Sequence, residues 1–91
     1  MTINGKAHIS NLIIKSYHGA IPFSGTGEYL IPISGFSYII ALSVTTANNG
    51  DSRDTEKIAY RPNKSSLSQI CLSVYGSNGG ATGYQVTIIG V

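Results

Sequence analysis

The sequence is poor in charge. Only 11% of its 91 residues are Asp, Glu, Lys or Arg, against about 25% in an ordinary soluble domain. The surface must therefore consist largely of Ser, Thr, Asn and Gly, which suits an uncharged polar partner such as a sugar, or another subunit. The net charge is +2, and the six basic residues are scattered along the chain. Because nucleic-acid binding needs a concentrated basic patch, we expect no nucleic-acid partner.

Cysteine and long apolar runs are also scarce. Cys71 is the single cysteine, so no disulfide forms within the chain, and a lone thiol in an apolar stretch is usually a small buried hydrophobe. The longest apolar runs, residues 12–14 and 38–42, fall far short of the roughly 20 residues of a membrane-spanning helix, so we expect no membrane insertion. No secretory signal is visible, which favours folding in a reducing cytosol or an excised domain.

The residues that enzymes use are few and poorly placed for catalysis. The four acidic residues are Glu28, Asp51, Asp54 and Glu56, of which the last three share one polar loop. Carboxylates do acid–base chemistry when burial separates their pKa values, and a solvated loop does not provide that burial. The two histidines, His8 and His18, have no third group positioned beside them, and no signature of a catalytic nucleophile flanks Cys71. We therefore predict no catalytic residues and no enzymatic activity.

No metal or cofactor site is predicted either. His and Cys do not cluster at the spacing of metal ligands. Asp51, Asp54 and Glu56 offer oxygen ligands for weak Ca²⁺ binding but lack the spacing of an EF-hand. The glycine-rich stretch at residues 76–83 leads into a strand rather than a helix. It is therefore interpreted as a hairpin loop and not as a phosphate-binding loop.

What the sequence does contain is a period of two. The strongest alternating sets are Tyr38, Ile40, Leu42 and Val44; Ile70, Leu72 and Val74; and Tyr84, Val86 and Ile88. Alternation places each set on one face of a strand, and β-branched and aromatic residues favour strands. Weaker strand signals cover residues 8–15, 28–33 and 56–60. Pro32 indicates that the end of the segment at 28–33 lies at the edge of a sheet. Cys71 falls on the more polar face of its strand or in a subunit contact.

These segments predict an all-β fold. Turn-forming residues separate them, and no stretch has a helical pattern. Five or six short strands joined by turns are typical of a single antiparallel β-sandwich or a small barrel, with little or no helix. The sandwich is expected to occupy residues 28–91. Residues 1–27 are less regular and are expected to form an arm, a linker or a first strand.

Two groups of tyrosine and polar residues are candidate ligand contacts. They are Tyr60, Arg61 and Asn63 beside a proline turn, and Tyr75, Asn78 and Tyr84 around the glycine-rich stretch. Six tyrosines against two phenylalanines and no tryptophan favour amphipathic aromatics at partly exposed surfaces. An aromatic face beside a few placed polar groups is a general design for a ligand site. The structural alternative is that most of these tyrosines pack at the rim of the sheet.

The last two thirds of the chain resemble a known family. The segments are EYLIPISGF at 28–36, SYIIALSVT at 37–45, QICLSVY at 69–75 and GYQVTIIGV at 83–91. A strand ending in Phe, then an apolar strand, and a last strand with an aromatic-x-Val run resemble the distal tip domains of bacteriophage tail fibres and related H-type-lectin-like sandwiches. The sequence lacks the Trp often found near the end of such domains.

The resemblance implies a function and a setting. Such domains are homotrimers at a fibre end of the virion, assembled with other virion proteins, and they bind a glycan or protein receptor on the host cell surface. No ligand residue carries over, because the contact loops of the family vary. Two alternatives stay open: a small virion structural, assembly or decoration subunit, and a free-standing lectin.

Overall fold

The computed structural model describes residues 11–48 and 56–91. Six strands and two single-turn 3₁₀ helices make up this part of the chain. The strands are β1 (Ile13–Ala20), β2 (Ser24–Pro32), β3 (Ile39–Asn48), β4 (Lys57–Tyr60), β5 (Gln69–Asn78) and β6 (Thr82–Gly90), and the 3₁₀ turns are Pro62–Lys64 and Gly79–Ala81. The predicted positions His8, Asp51 and Asp54 lie outside the described residues.

The strands form two three-stranded antiparallel sheets. Sheet 1 has the order β1-β6-β3, and sheet 2 has the order β2-β5-β4. The core lies between the two sheets. The prediction of an all-β, sandwich-like fold without a long helix is therefore confirmed.

The period of two predicts the core correctly in the central strand of each sheet. Ile70, Leu72 and Val74 of β5 are fully buried, and so are Val86 and Ile88 of β6. Burying an aliphatic side chain of this size contributes about 1.5–3 kcal/mol. The two central strands therefore supply most of the fully buried apolar surface, and the four edge strands pack around them.

In β3 the predicted face is wrong over its first half. Tyr38 precedes the strand and Ile40 lies at its start, and both side chains are exposed, whereas Ile39 packs against the core. The register with β6 shifts between Ile39 and Ala41, which marks a β-bulge. A bulge inserts one residue and so reverses the alternation on either side of it. Beyond the bulge the prediction holds, because Leu42 and Val44 pack against the core.

The glycine-rich stretch is not a hairpin loop. It joins β5 of sheet 2 to β6 of sheet 1, so the chain crosses from one sheet to the other. Both strands bury an apolar set on their facing sides, and they therefore pack face to face instead of pairing edge to edge. The crossing is held by Asn78, whose backbone N–H donates to Thr82 Oγ1 at 2.8 Å, and by Gly79, which has a φ of +63°.

The N-terminal part of the described chain is built into the sandwich. β1 pairs with β6 from Ile13 to Ala20, and Ile21 in the following connection is fully buried. The sandwich was expected to begin at residue 28, and residues 27 and 28 are consecutive within β2. This strand lies at the edge of sheet 2 and ends at Pro32. The predicted edge position of Pro32 is confirmed.

Cys71 is buried although it lies on the outer face of sheet 2. The segment after β4 folds across this face, because Lys64 reaches Glu28 of β2 with its Nζ 2.7 Å from Oε2. The Cys71 backbone N–H donates to Ser65 Oγ at 2.8 Å, and Ser65 Oγ donates to the Arg61 carbonyl at the same distance. The side chain of Cys71 is only 1% exposed, as expected of a small buried hydrophobe.

Candidate functional site

The first predicted group of ligand residues is only partly available to a ligand. Tyr60 is half-buried at the end of β4 and packs against the core. Arg61 is half-buried, and its backbone N–H donates to the Cys71 carbonyl at 3.0 Å. Asn63 is exposed in the 3₁₀ turn. Of the three, Asn63 has the most accessible side chain.

The second predicted group is divided between the two sheets. Tyr75 lies on β5 of sheet 2 with 60% of its surface exposed, and Asn78 is exposed at the end of the same strand. Tyr84 lies on β6 of sheet 1, belongs to the core and is 9% exposed. The crossing between the sheets separates Tyr75 from Tyr84, because the two strands do not form a hairpin. Tyr75 and Asn78 stay candidates on the strength of their exposure.

The outer face of sheet 1 is a surface that sequence reasoning did not single out. We call it the neutral face. Its members, read from the alternation and the strand register, are Ile14, Ser16, His18 and Ala20 of β1; Gly83, Gln85, Thr87 and Ile89 of β6; and Ala41, Ser43, Thr45 and Ala47 of β3. The sequence feature that could have identified this face is that the outward-facing residues of all three strands include no Asp, Glu, Lys or Arg.

Cross-strand pairing arranges the neutral face in rows. One row carries three hydroxyl groups, those of Ser16, Thr87 and Ser43, and Ser16 Oγ lies 3.3 Å from Thr87 Oγ1. The next row toward the crossing between the sheets is His18, Gln85 and Thr45, and the row beyond it is Ala20, Gly83 and Ala47. The row that supplies an imidazole, an amide and a hydroxyl group therefore lies beside a row of two alanines and a glycine, whose side chains are very short.

An open depression of about 380 Å³ lies at this end of the face. It is lined by His18, Gly19, Ala20, Ala47, Gly83, Tyr84 and Gln85. The Ala20–Gly83–Ala47 row has side chains too short to fill it. His18 and Gln85 are exposed beside that row and offer donors and acceptors to a bound molecule. The volume falls within the range of about 300–1,000 Å³ typical of small-molecule sites.

Tyr84 supports this depression from within the sandwich. It stands opposite Gly19 in the register, and a Cβ added to Gly19 would lie 2.9 Å from the Tyr84 hydroxyl oxygen. Burial, together with a hydrogen bond to Tyr29, raises the pKa of Tyr84 from its ordinary value of 10.0 to about 12. The Tyr84 hydroxyl is therefore neutral at physiological pH and belongs to the structure of the site.

Among the residues that the structure describes, charge lies away from the neutral face. Lys15 is the only charged residue of β1, β3 and β6, and its Nζ donates to the Ser34 carbonyl at 2.8 Å and lies 5.6 Å from the centre of the Phe36 ring. The outer side of sheet 2 carries the ion pair of Lys64 with Glu28, which lowers the pKa of the Glu28 carboxyl. A charged ligand thus finds no counter-charge on the neutral face.

The described residues contain no group of three or more His, Cys, Asp or Glu side chains that could hold a metal ion. In the same part of the chain, no helix has the length and apolar character needed to cross a membrane. What the geometry does offer is hydrogen bonding and shape: three rows of uncharged side chains and a shallow depression.

Comparison of the chain with protein-family models, with curated proteins and with solved structures gives no match.

Proposed function

We propose that this chain is a non-enzymatic binding module that recognises an uncharged polar ligand on a cell surface, such as a glycan, in a setting like that of a phage tail-fibre tip. The observation that carries the proposal is the neutral face, where the depression lies beside His18 and Gln85. Its polar groups are the hydroxyl, amide and imidazole groups of neighbouring rows, which donate and accept hydrogen bonds.

The chemistry of the site suits a sugar. Sugar hydroxyls both donate and accept hydrogen bonds, and so do the amide of Gln85 and the hydroxyl of Thr45 in the adjacent position. The open depression accommodates a sugar ring without a deep pocket. Because each neutral hydrogen bond contributes only about 0.5–1.5 kcal/mol net, we expect one site to bind weakly. Repeated copies on one particle would raise the avidity.

A glycan array probed with the intact chain tests the proposal, and two glutamines provide a matched pair of variants. Gln85 and Gln69 are both exposed and both lie on the central strand of a sheet, but only Gln85 borders the depression. Gln85→Ala is expected to weaken binding about fivefold, the loss of about one hydrogen bond, while Gln69→Ala leaves binding unchanged. Equal effects of the two substitutions, or no retained glycan, would count against the proposal.

One observation favours a virion assembly subunit as the second candidate. Exposed apolar side chains gather where sheet 1 begins: Ile14 is 61% exposed, Tyr38 is 64% exposed and Ile40 is 47% exposed. Exposed apolar clusters on a small domain mark interaction surfaces. In that case the protein copurifies with virus particles and binds no glycan. A free-standing lectin binds a glycan and does not copurify with virus particles.

A further inference from the structure

Tyr75 is an exposed aromatic side chain in the middle of a sheet. It lies on β5, the central strand of sheet 2, and 60% of its surface is exposed. Leu72 and Val74 of the same strand point into the core, so Tyr75 points outward together with Cys71 and Ser73. The segment that covers Cys71 leaves the Tyr75 ring open. Such a ring offers a large amphipathic surface for contact with another molecule.

A β-bulge lies at the position of Tyr75. On β2 the single residue Thr26 opposes two residues of β5, Tyr75 and Gly76. Gly76 has a φ of +69°, in the left-handed region that favours glycine, and its backbone N–H donates to Thr26 Oγ1 at 3.4 Å. Bulges are frequent next to active sites, where they re-aim a side chain. Here the bulge falls on the most exposed aromatic ring of sheet 2.

A positive charge stands beside this ring. Lys57 of β4 is the register partner of Tyr75, and it points outward because Ile58, the next residue, packs against the core. The Cβ atoms of such opposed residues are about 4.5–5.5 Å apart. Lys57 is exposed, and no described residue forms a hydrogen bond or ion pair with its ammonium group. Lys64 on the same side is instead held by Glu28 at 2.7 Å. The charge of Lys57 is therefore available to a ligand.

We propose that Tyr75, Lys57 and Thr26 form a second binding site, the Tyr75 site, for an acidic sugar unit that carries a carboxylate or a sulfate group. The C–H face of the sugar ring packs on the tyrosine ring, and sugar hydroxyls form hydrogen bonds with the hydroxyls of Tyr75 and Thr26. The ammonium group of Lys57 is a compact charge that forms a charge-assisted hydrogen bond with either anion. The two sides of the sandwich thus suit different ligands, neutral on sheet 1 and acidic on sheet 2.

An acidic sugar fits this position better than an acidic peptide does. Peptides commonly bind by adding a strand to a sheet edge or by placing apolar anchors in a groove. The Tyr75 site offers no edge, because β5 is paired with β2 on one side and with β4 on the other. Its outward neighbours Ser73, Thr26 and Lys57 do not form an apolar groove. One open ring beside one charge matches a single acidic ring.

NMR titration of the intact, isotope-labelled chain with four probes tests the Tyr75 site. The probes are a hyaluronan hexasaccharide, which is carboxylated, a carrageenan hexasaccharide, which is sulfated, the neutral cellohexaose, and the acidic peptide hexaglutamate. We expect the backbone amide signals of Lys57, Tyr75 and Gly76 to shift with one or both acidic sugars. The same signals are expected to stay in place with cellohexaose and with hexaglutamate. The difference between the two acidic sugars identifies the anion.

Two exposed tyrosines provide a matched pair of variants. Tyr38 is 64% exposed and Tyr75 is 60% exposed, but only Tyr75 lies on sheet 2. Tyr75→Ala and Lys57→Gln are each expected to weaken binding of the acidic sugar about fivefold or more, because each removes one contact of the site. Tyr38→Ala is expected to leave the affinity unchanged. Lys57→Arg keeps the charge and is expected to retain most of the affinity.

Three results would overturn the Tyr75 site: equal effects of Tyr75→Ala and Tyr38→Ala, hexaglutamate binding as tightly as the acidic sugars, or no signal shift on sheet 2 with either sugar. If Tyr75→Ala does not fold by circular dichroism, Lys57→Gln and the location of the shifts in the parent chain decide. Shifts confined to His18 and Gln85 would place the acidic sugar on the neutral face and would also refute the second site. Failure of the Tyr75 site leaves the glycan test of the neutral face unaffected, because the two tests use different residues.

Discussion

The ring of Tyr29 on β2 packs against the ring of Tyr84 on β6, with centroids 5.4 Å apart and planes inclined by 48°. This contact joins the two sheets across the core. Because Tyr84 also stands opposite Gly19, the pair lies under the end of sheet 1 that carries the depression. The shape of the proposed binding surface thus depends on a buried aromatic pair, and several tests of the account follow from the residues around it.

The raised pKa of Tyr84 predicts a loss of stability in alkali. The unfolded chain ionises this tyrosine near pH 10, whereas the folded chain keeps it neutral until about pH 12. The stabilisation is therefore complete below pH 10 and is lost as the pH rises through 12, by about 2 kcal/mol. Urea unfolding between pH 9 and 12 measures it. Tyr84→Phe is expected to cost about 1 kcal/mol at pH 7 and to flatten this slope; an unchanged slope would refute the assignment.

Gly90 is expected to tolerate no side chain. A Cβ at this position would collide with the backbone oxygen of Tyr38 and lie 2.7 Å from Cδ1 of Phe36. Gly90→Ala must therefore displace the last strand and is expected to lower the free energy of unfolding by about 3 kcal/mol. Gly80→Ala is the control, because no atom lies within 4 Å of its added Cβ. Similar midpoints of thermal unfolding for the two variants would contradict the packing of Gly90.

The burial of Cys71 predicts slow reaction of its thiol with an aromatic disulfide reagent. Ser65 holds the covering segment through two hydrogen bonds, one with the Cys71 backbone and one with the Arg61 carbonyl. Ser65→Ala is expected to accelerate the reaction about fivefold, because local opening becomes easier by about 1 kcal/mol. Asn63→Ala, an exposed change in the same segment, should leave the rate unaltered. A fast reaction in the parent chain would show that the segment does not cover the thiol.

The ion pair between Lys64 and Glu28 predicts a shift that NMR can follow. Hydrogen bonding and attraction to Lys64 lower the pKa of Glu28 below its ordinary value of 4.5. The associated stabilisation is present above that value and disappears as the pH falls through the lowered pKa. Lys64→Ala is expected to return the carboxyl carbon titration of Glu28 toward the ordinary value. Lys57→Ala, on the same side of the sandwich, should not, and identical titrations in all three proteins would exclude the ion pair.

The sequence predicted the centre of the fold better than its periphery. The burial of Ile70, Leu72, Val74, Val86 and Ile88 follows from side-chain alternation, which is a local property. The bulge at Ile39–Ala41 and the crossing from β5 to β6 depend on which strands meet, and no local pattern encodes that. A glycine-rich stretch between two alternating strands is compatible with a hairpin and with a crossing alike.

In the candidate site, too, local properties were predictable from the sequence, whereas contacts between distant segments were not. The sequence indicates Tyr84 through its position beside the glycine-rich stretch, yet its aromatic neighbour in space is Tyr29, which is distant in the sequence. The neutral face combines three strands that are far apart in the chain. Its absence of charge was readable strand by strand, but its rows required the register of β1 and β3 on β6.

The central claim is that the depression on the neutral face binds the ligand, and filling it tests that claim most directly. Ala20 lines the depression, while Ala59 is an exposed alanine on an edge strand of sheet 2. In a titration with the best glycan from the array, Ala20→Trp is predicted to reduce affinity at least tenfold while Ala59→Trp retains the affinity of the parent chain. Full affinity in a correctly folded Ala20→Trp variant would contradict the account.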